Sequence, residues 1–153
     1  MIRGALALVL CVLVTGCAKP APITNPALSP VGRLAVRAAQ IITAIDVAQR
    51  QIEPLVEADV LTPAEGLLVA KSFGVALEQA KVLAGLLTVA EAASTIADRS
   101  GAIRQASGAL KSLIRTMQGS VAGIGRLGGR IVVGAMAGSV TDAVGDLVPE
   151  LGS

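Results

Sequence analysis

The chemistry open to this chain is set by which reactive side chains it lacks. Among its 153 residues there is no histidine, and the two cysteines, Cys11 and Cys17, both fall within the first 17 positions. Without imidazole there is no usual general base and no commonest metal ligand. Without thiols in the body there is neither a disulfide framework nor a thiolate metal site there. Serines and threonines are present, but nothing accompanies them that would build a nucleophile and base pair. The carboxylates are spaced along surfaces, and no two stand out as an acid and base couple. The expectation is therefore a protein that is not an enzyme and uses no cofactor and no metal. Cys17 remains as the one side chain with a distinctive context, Val14-Thr15-Gly16-Cys17. A thiol is the strongest nucleophile among these side chains once ionised.

The segment that would position this cysteine has a defined order. Arg3 supplies a positive start, and Gly4 to Val14 is an uncharged, mostly apolar run of 11 residues. That is the length of a signal-peptide core and too short to span a bilayer. Cys11 lies inside it as a small apolar residue. Val14-Thr15-Gly16-Cys17 resembles the lipobox of bacterial lipoproteins, in which a small residue precedes an invariant cysteine. Val14 and Thr15 depart from that family's usual Leu followed by Ala or Ser. The resemblance covers about the first twenty residues and no part of the body. It implies cleavage after Gly16, with Val14, Thr15 and Gly16 recognised by the signal peptidase. It also implies a diacylglycerol thioether on Cys17 and an acyl chain such as palmitate on the new α-amine. Ala18 in place of Asp implies, for a Gram-negative host, transfer to the periplasmic leaflet of the outer membrane. The other reading is an ordinary signal peptide cleaved after Ala18.

Residues 1–16 are thus read as a signal peptide and 17–29 as a lipidated cysteine and tether. Residues 18–30 contain four prolines, which predicts an extended polyproline-II spacer reaching roughly 40 Å at ~3.1 Å per residue. The whole chain is 53% hydrophobic and 16% charged, with a single Phe, no Trp and no Tyr. A core must come from Ala, Leu, Val and Ile, and such small aliphatic residues suit closely packed helices. A net charge of +2 is too small to imply nucleic acid.

Helical periodicity dominates 30–118. Ser29 and Pro30 mark a start, followed by Val31, Leu34, Ala38, Ile41, Ile45, Ala48, Ile52 and Leu55 at alternating spacings of three and four. Pro54 is expected to kink the last turn. Thr62, Pro63 and Glu65 read as a capping box opening a second helix, with Gly66, Val69, Phe73, Ala76, Ala80, Leu83 and Leu87 as its seam. The motif at Ala58–Glu65 returns at Ala84–Glu91, matching at five of eight positions. This predicts a second corner, with Gly85 ending one helix and Thr88 and Glu91 boxing the next. A single unbroken helix from 63 to about 118 is the alternative. The third seam reads Val89, Ala92, Ile96, Arg99, Ile103, Ala106, Leu110, Leu113 and Met117, with Arg99 out of character. Helices at about 30–58, 63–86 and 89–118 with short links predict an all-α, antiparallel up-down-up bundle of three long helices.

Residues 119–153 form a glycine-rich segment, expected to be helical. Gly119/Gly123, Gly125/Gly129 and Gly134/Gly138 are small-xxx-small pairs suited to close helix approach or a glycine zipper. Charge is also segregated. Residues 46–98 hold eight acids and three bases, whereas 99–141 hold six bases and no acid. Asp46, Glu53 and Glu57 share one spacing, and Arg104, Lys111 and Arg115 share the same one. The two stripes either face each other across the bundle or stand in solvent. The basic stripe, extended by Arg126 and Arg130, is a candidate surface for lipid headgroups or a partner. The functional expectation is a membrane-anchored lipoprotein whose helical periplasmic body serves a structural or protein-interaction role. It would hold the membrane through lipid on Cys17 and bind an envelope protein or its own copies. Two alternatives stand beside it. One is a membrane-perturbing or phage-related lysis or exclusion lipoprotein acting through the glycine-rich end. The other is a carrier of an apolar ligand.

Overall fold

In the computed structural model, residues 28–145 and 147 are described. Cys17, Val14, Thr15 and Gly16, with the tether up to residue 27, lie outside them. The described chain is all-helical: α1 (Pro30–Arg50), α2 (Ile52–Glu57), α3 (Pro63–Ala92), α4 (Ile96–Gly119) and α5 (Leu127–Gly145).

Each boundary has a local cause. Ser29 caps α1, its Oγ accepting from the Gly32 N–H at 3.0 Å, and Pro30 sits where a missing N–H costs nothing. Pro54 has no N–H to offer the carbonyl four residues back, which belongs to Arg50, the last residue of α1. Pro54 therefore separates a one-and-a-half-turn α2 from α1, three residues before its own position. Asp59 closes α2 at φ 54, a left-handed cap after which Val60 N–H and Leu61 N–H both bond the Leu55 carbonyl. The Thr62/Glu65 capping box opens α3.

The second corner is not at 84–91. α3 runs on to Ala92, and the break is Ala93-Ser94-Thr95. Gly85 is exposed, with open space around it, so it merely weakens a helix that tertiary contacts sustain. Thr88 Oγ1 donates to the Ala84 carbonyl at 3.0 Å, an ordinary mid-helix bond. Leu87 and Ala90 continue the buried line of Leu83 beyond Gly85. The actual cap is Thr95, which accepts from the Asp98 N–H at 3.1 Å. The single-helix alternative fails at the same place. The shift also explains Arg99: Val89, Ala92, Ile96 and Arg99 are exposed, and the buried face of α4 begins at Ala102.

One core joins the helices. Leu34, Ala38, Ile41 and Ile45 of α1, and Ile52 and Leu55 of α2, meet Val69, Phe73, Ala76, Ala80, Leu83 and Leu87 of α3. Ala106, Leu110, Leu113 and Met117 complete it from α4, and Val132, Val133, Met136, Ala137, Val140 and Val144 from α5. Phe73, the sole aromatic, is fully buried. The start of α1 lies beside the end of α3, where Ser29 Oγ donates to Glu91 Oε2. At the opposite end Val56 of α2 lies against Gly66 of α3, where no Cβ fits. Gln79 ties α3 to α4 from both sides of its amide, donating to Ser112 Oγ and accepting from Thr116 Oγ1, each at 2.9 Å.

Candidate interaction surface

The carboxylate with the most partners is Glu65. Its Oε2 accepts from the Thr62 backbone N–H at 2.8 Å and the Thr62 hydroxyl at 2.9 Å. Its Oε1 accepts from the N–H groups of Gly125 at 2.7 Å and Arg126 at 3.2 Å, just ahead of α5. One side chain therefore closes the capping box of α3 and also holds the two residues that lead into α5. The Thr62 backbone bond, then the Thr62 hydroxyl, and then the Arg126 and Gly125 amides outweigh desolvation and lower its pKa from 4.5 to about 2. Beside it Arg126 Nη1 bonds the Asp59 carbonyl at 2.6 Å and pairs with Asp59 Oδ1 at 2.8 Å. This cluster is a structural clasp. Both oxygens of Glu65 and Nη1 of Arg126 are engaged within the chain.

The basic stripe divides accordingly. Arg104, Lys111 and Arg115 are exposed on α4, at 100° per residue, opposite the core line of Ala106, Leu113 and Met117. Arg126 is taken into the clasp, and Arg130 is exposed in the first turn of α5. Among the described residues the ion pairs are Arg50–Asp46, Lys81–Glu78 and Arg126–Asp59, and none joins the acidic stripe of Asp46, Glu53 and Glu57 to the basic one. Both stripes are solvated faces, and they do not fix the register of the bundle. No group of three or more potential metal ligands occurs among the described residues.

The six flagged glycines also divide. A Cβ on Gly123 would meet Leu68 Cδ2 at 2.8 Å, and one on Gly129 would meet Leu61 Cδ2 at 2.6 Å. At Gly125 a Cβ would lie in ordinary contact with Glu65 Oε1 at 3.6 Å. Gly119, Gly134 and Gly138 face open space, so they form no zipper within one chain. The tightest glycine, Gly66, belongs instead to the α2–α3 corner.

The feature that the seams did not reveal is a second apolar face on α3. Leu68, Val75, Val82 and Val89 recur at intervals of seven and are 43%, 45%, 56% and 59% exposed. Leu67 adds a further exposed Leu on the neighbouring line. This ridge borders an open groove of about 580 Å³ between α3 and α4, floored and walled by Gly74, Val75, Val82 and Ala109 with Lys71 and Glu78 at its side. The seven-residue repeat was present in the sequence all along. It was masked because a helix apolar on two faces has no polar side to reveal where the first face stops. α3 is also long and apolar enough, by length and composition, to cross a membrane, with mean hydropathy 1.4 and 33% of that stretch buried. No protein family, curated relative or solved structure matches the chain.

Proposed function

We propose that this protein is a membrane-anchored lipoprotein of the bacterial envelope whose helical body is a protein-interaction module without enzymatic activity. On this reading α1 with α2, α3 and α4 form an up-down-up bundle, and the glycine-rich α5 lies against it under the Glu65 clasp. The observation that carries the interaction role is the ridge of Leu68, Val75, Val82 and Val89. A long helix that has already buried one face in the core, and still exposes an apolar side chain at every seventh residue, is unfinished as a monomer surface. The anchor rests on Val14-Thr15-Gly16-Cys17 and the signal-like segment before it. Three acyl chains at about 0.8 kcal/mol per buried methylene make such attachment effectively permanent.

Mass spectrometry of the mature terminus tests the anchor. The expected product begins at Cys17, carries a diacylglycerol thioether and is acylated on its α-amine, and C17A is neither cleaved after Gly16 nor acylated. A bare terminus, or one beginning at Lys19, would refute it. A second reading, membrane perturbation through the glycine-rich end, is favoured by the exposure of Leu127 at 74% and Ile131 at 60% on α5. Vesicle leakage that disappears when residues 119–148 are removed distinguishes it.

A further inference from the structure

We propose that the occupant of the exposed α3 face is a second copy of this chain, laid antiparallel about a two-fold axis that passes near the level of residue 80. The inference rests on the interaction-module reading and names the partner that its apolar ridge fits.

The outward face of α3 has a heptad organisation of its own. Leu68, Val75, Val82 and Val89 occupy one line, and Lys71, Glu78, Gly85 and Ala92 the line three residues on. Leu67, Gly74, Lys81 and Thr88 flank them. A strict repeat of seven is the signature of helix-on-helix packing, because it holds a seam in register against a partner helix. A lipid surface sets no such register. Lipid would also strand Lys71 and Glu78 within this face and Lys81 on its flank, all of them exposed.

In an antiparallel pair two of the four layers set a large residue against a small one, and the other two set a valine against the aliphatic stem of Glu78 or Lys71. With residues facing one another when their numbers add to 160, Leu68 stands over Ala92 of the twin and Val75 over Gly85. The reciprocal contacts follow from the two-fold axis. Gly85, which ends no helix, and Ala92 thereby acquire a role as receptors for larger side chains. In the next layer inward Val82 meets the aliphatic stem of Glu78. That places each Glu78 carboxylate within one residue's rise, ~1.5 Å along the axis, of the level of the twin's Lys81. Glu78 and Lys81 already pair within one chain at 2.7 Å. Two such pairs set around the axis alternate in sign and neutralise one another. Self-complementarity in size and charge is what a symmetric interface requires, and the α3 face supplies both.

The test uses the full chain in nonionic detergent and in phosphatidylcholine vesicles. Sedimentation should give a dimer, with V82D raising its dissociation constant at least about tenfold, the equivalent of 1.4 kcal/mol, without loss of helix. E78K should weaken the dimer, and E78K combined with K81E should restore it. Copies carrying V75C and G85C, differently tagged and mixed, should be joined by a short bismaleimide, whereas either variant alone should not. A nitroxide at K81C in vesicles should show dipolar broadening from its twin. A monomer at all concentrations, a dimer indifferent to V82D, or cross-linking of V75C to itself overturns the proposal. A K81C nitroxide that senses oxygen in the bilayer and no second label assigns the face to lipid instead. Acylated Cys17 on a monomeric chain would sink the pairing and leave the anchor standing. A dimer with a bare terminus would do the reverse.

Discussion

Replacing glycines of α5 one at a time should split them into two opposite classes. At Gly129 an added Cβ would lie 2.6 Å from Leu61 Cδ2, 3.0 Å from Ile124 Cγ2 and 3.1 Å from the Val60 carbonyl oxygen. Leu61 and Ile124 are 0% and 2% exposed, so neither can swing aside, and the third neighbour is backbone. Overpacking of this kind costs about 1–3 kcal/mol, against which Gly→Ala returns about 0.5–1 kcal/mol of helix propensity. The net for G129A is a loss centred near 1 kcal/mol and reaching about 2.5 kcal/mol. At Gly134 and Gly138 nothing lies within 4 Å of the added atom. There only the propensity gain operates, so G134A and G138A should each stabilise by about 0.5–1 kcal/mol. Urea denaturation followed by far-ultraviolet circular dichroism resolves these changes. With m of about 1–2 kcal/mol/M, G129A should lower the midpoint by roughly 1 M and the G134A/G138A pair should raise it by a similar amount. A neutral or stabilising G129A, or a destabilising G134A, would refute the view that α5 is held at its first turn and free along its later outer face.

Two further outcomes follow from particular bonds. The Glu65 carboxylate has a pKa near 2 in the fold against an ordinary 4.5, so its contribution is complete above about pH 4.5 and is lost as pH falls from there towards 2. E65Q should be less stable than the native chain near neutrality and should lose little of the difference-making stability across that acid window; parallel acid titrations of the two would count against the clasp. T95A removes the cap of α4 and should cost about 1 kcal/mol, whereas T88A, in mid-helix, should change stability by no more than about 0.5 kcal/mol. Thermal melts of the two variants check the contrast, and equal losses would contradict the placement of the corner at residues 93–95.

The helical class and most of the buried line were legible because small aliphatic residues recur at three and four with caps that carry their own chemistry. Ser29-Pro30 and Thr62-Pro63-Glu65 begin helices where their hydrogen-bonding groups demand it. The corner at Ala84–Glu91 misled for a physical reason. Thr and Glu three residues apart can box a helix start or sit inside a helix, and burial of Leu83, Leu87 and Ala90 decided for the interior. Thr95 and Asp98 carry an equally good cap that no apolar seam advertised. The Glu65 clasp was half visible. Its box with Thr62 is local, but its reach to Gly125 and Arg126 spans 60 and 61 residues of chain and depends on the tertiary fold. Glycine spacing was weaker still as a guide, since Gly129 and Gly134 look alike in the sequence and meet opposite surroundings in the fold.

The antiparallel pairing bears on how two anchored copies would share one membrane. Ser29, at the start of α1, bonds Glu91 near the end of α3, so each chain enters its bundle at that end. With residues paired to a sum of 160, Glu91 of one copy stands opposite the level of residue 69 of the other. The two entry points are then 22 residues of rise apart, about 33 Å at 1.5 Å per residue. A two-fold axis perpendicular to α3 sets both entry points at equal height when that axis stands normal to the bilayer. On the proposed anchor, a tether of the length expected for 13 proline-rich residues, roughly 40 Å, would let both proposed lipids enter one leaflet from opposite ends of the pair. A parallel pairing would bring both entry points to one end and tilt the bundle upright. Together with the proposed anchor, the proposed face favours a dimer lying along the membrane, with the basic stripe of α4 and the exposed Leu127 and Ile131 of α5 left uncovered.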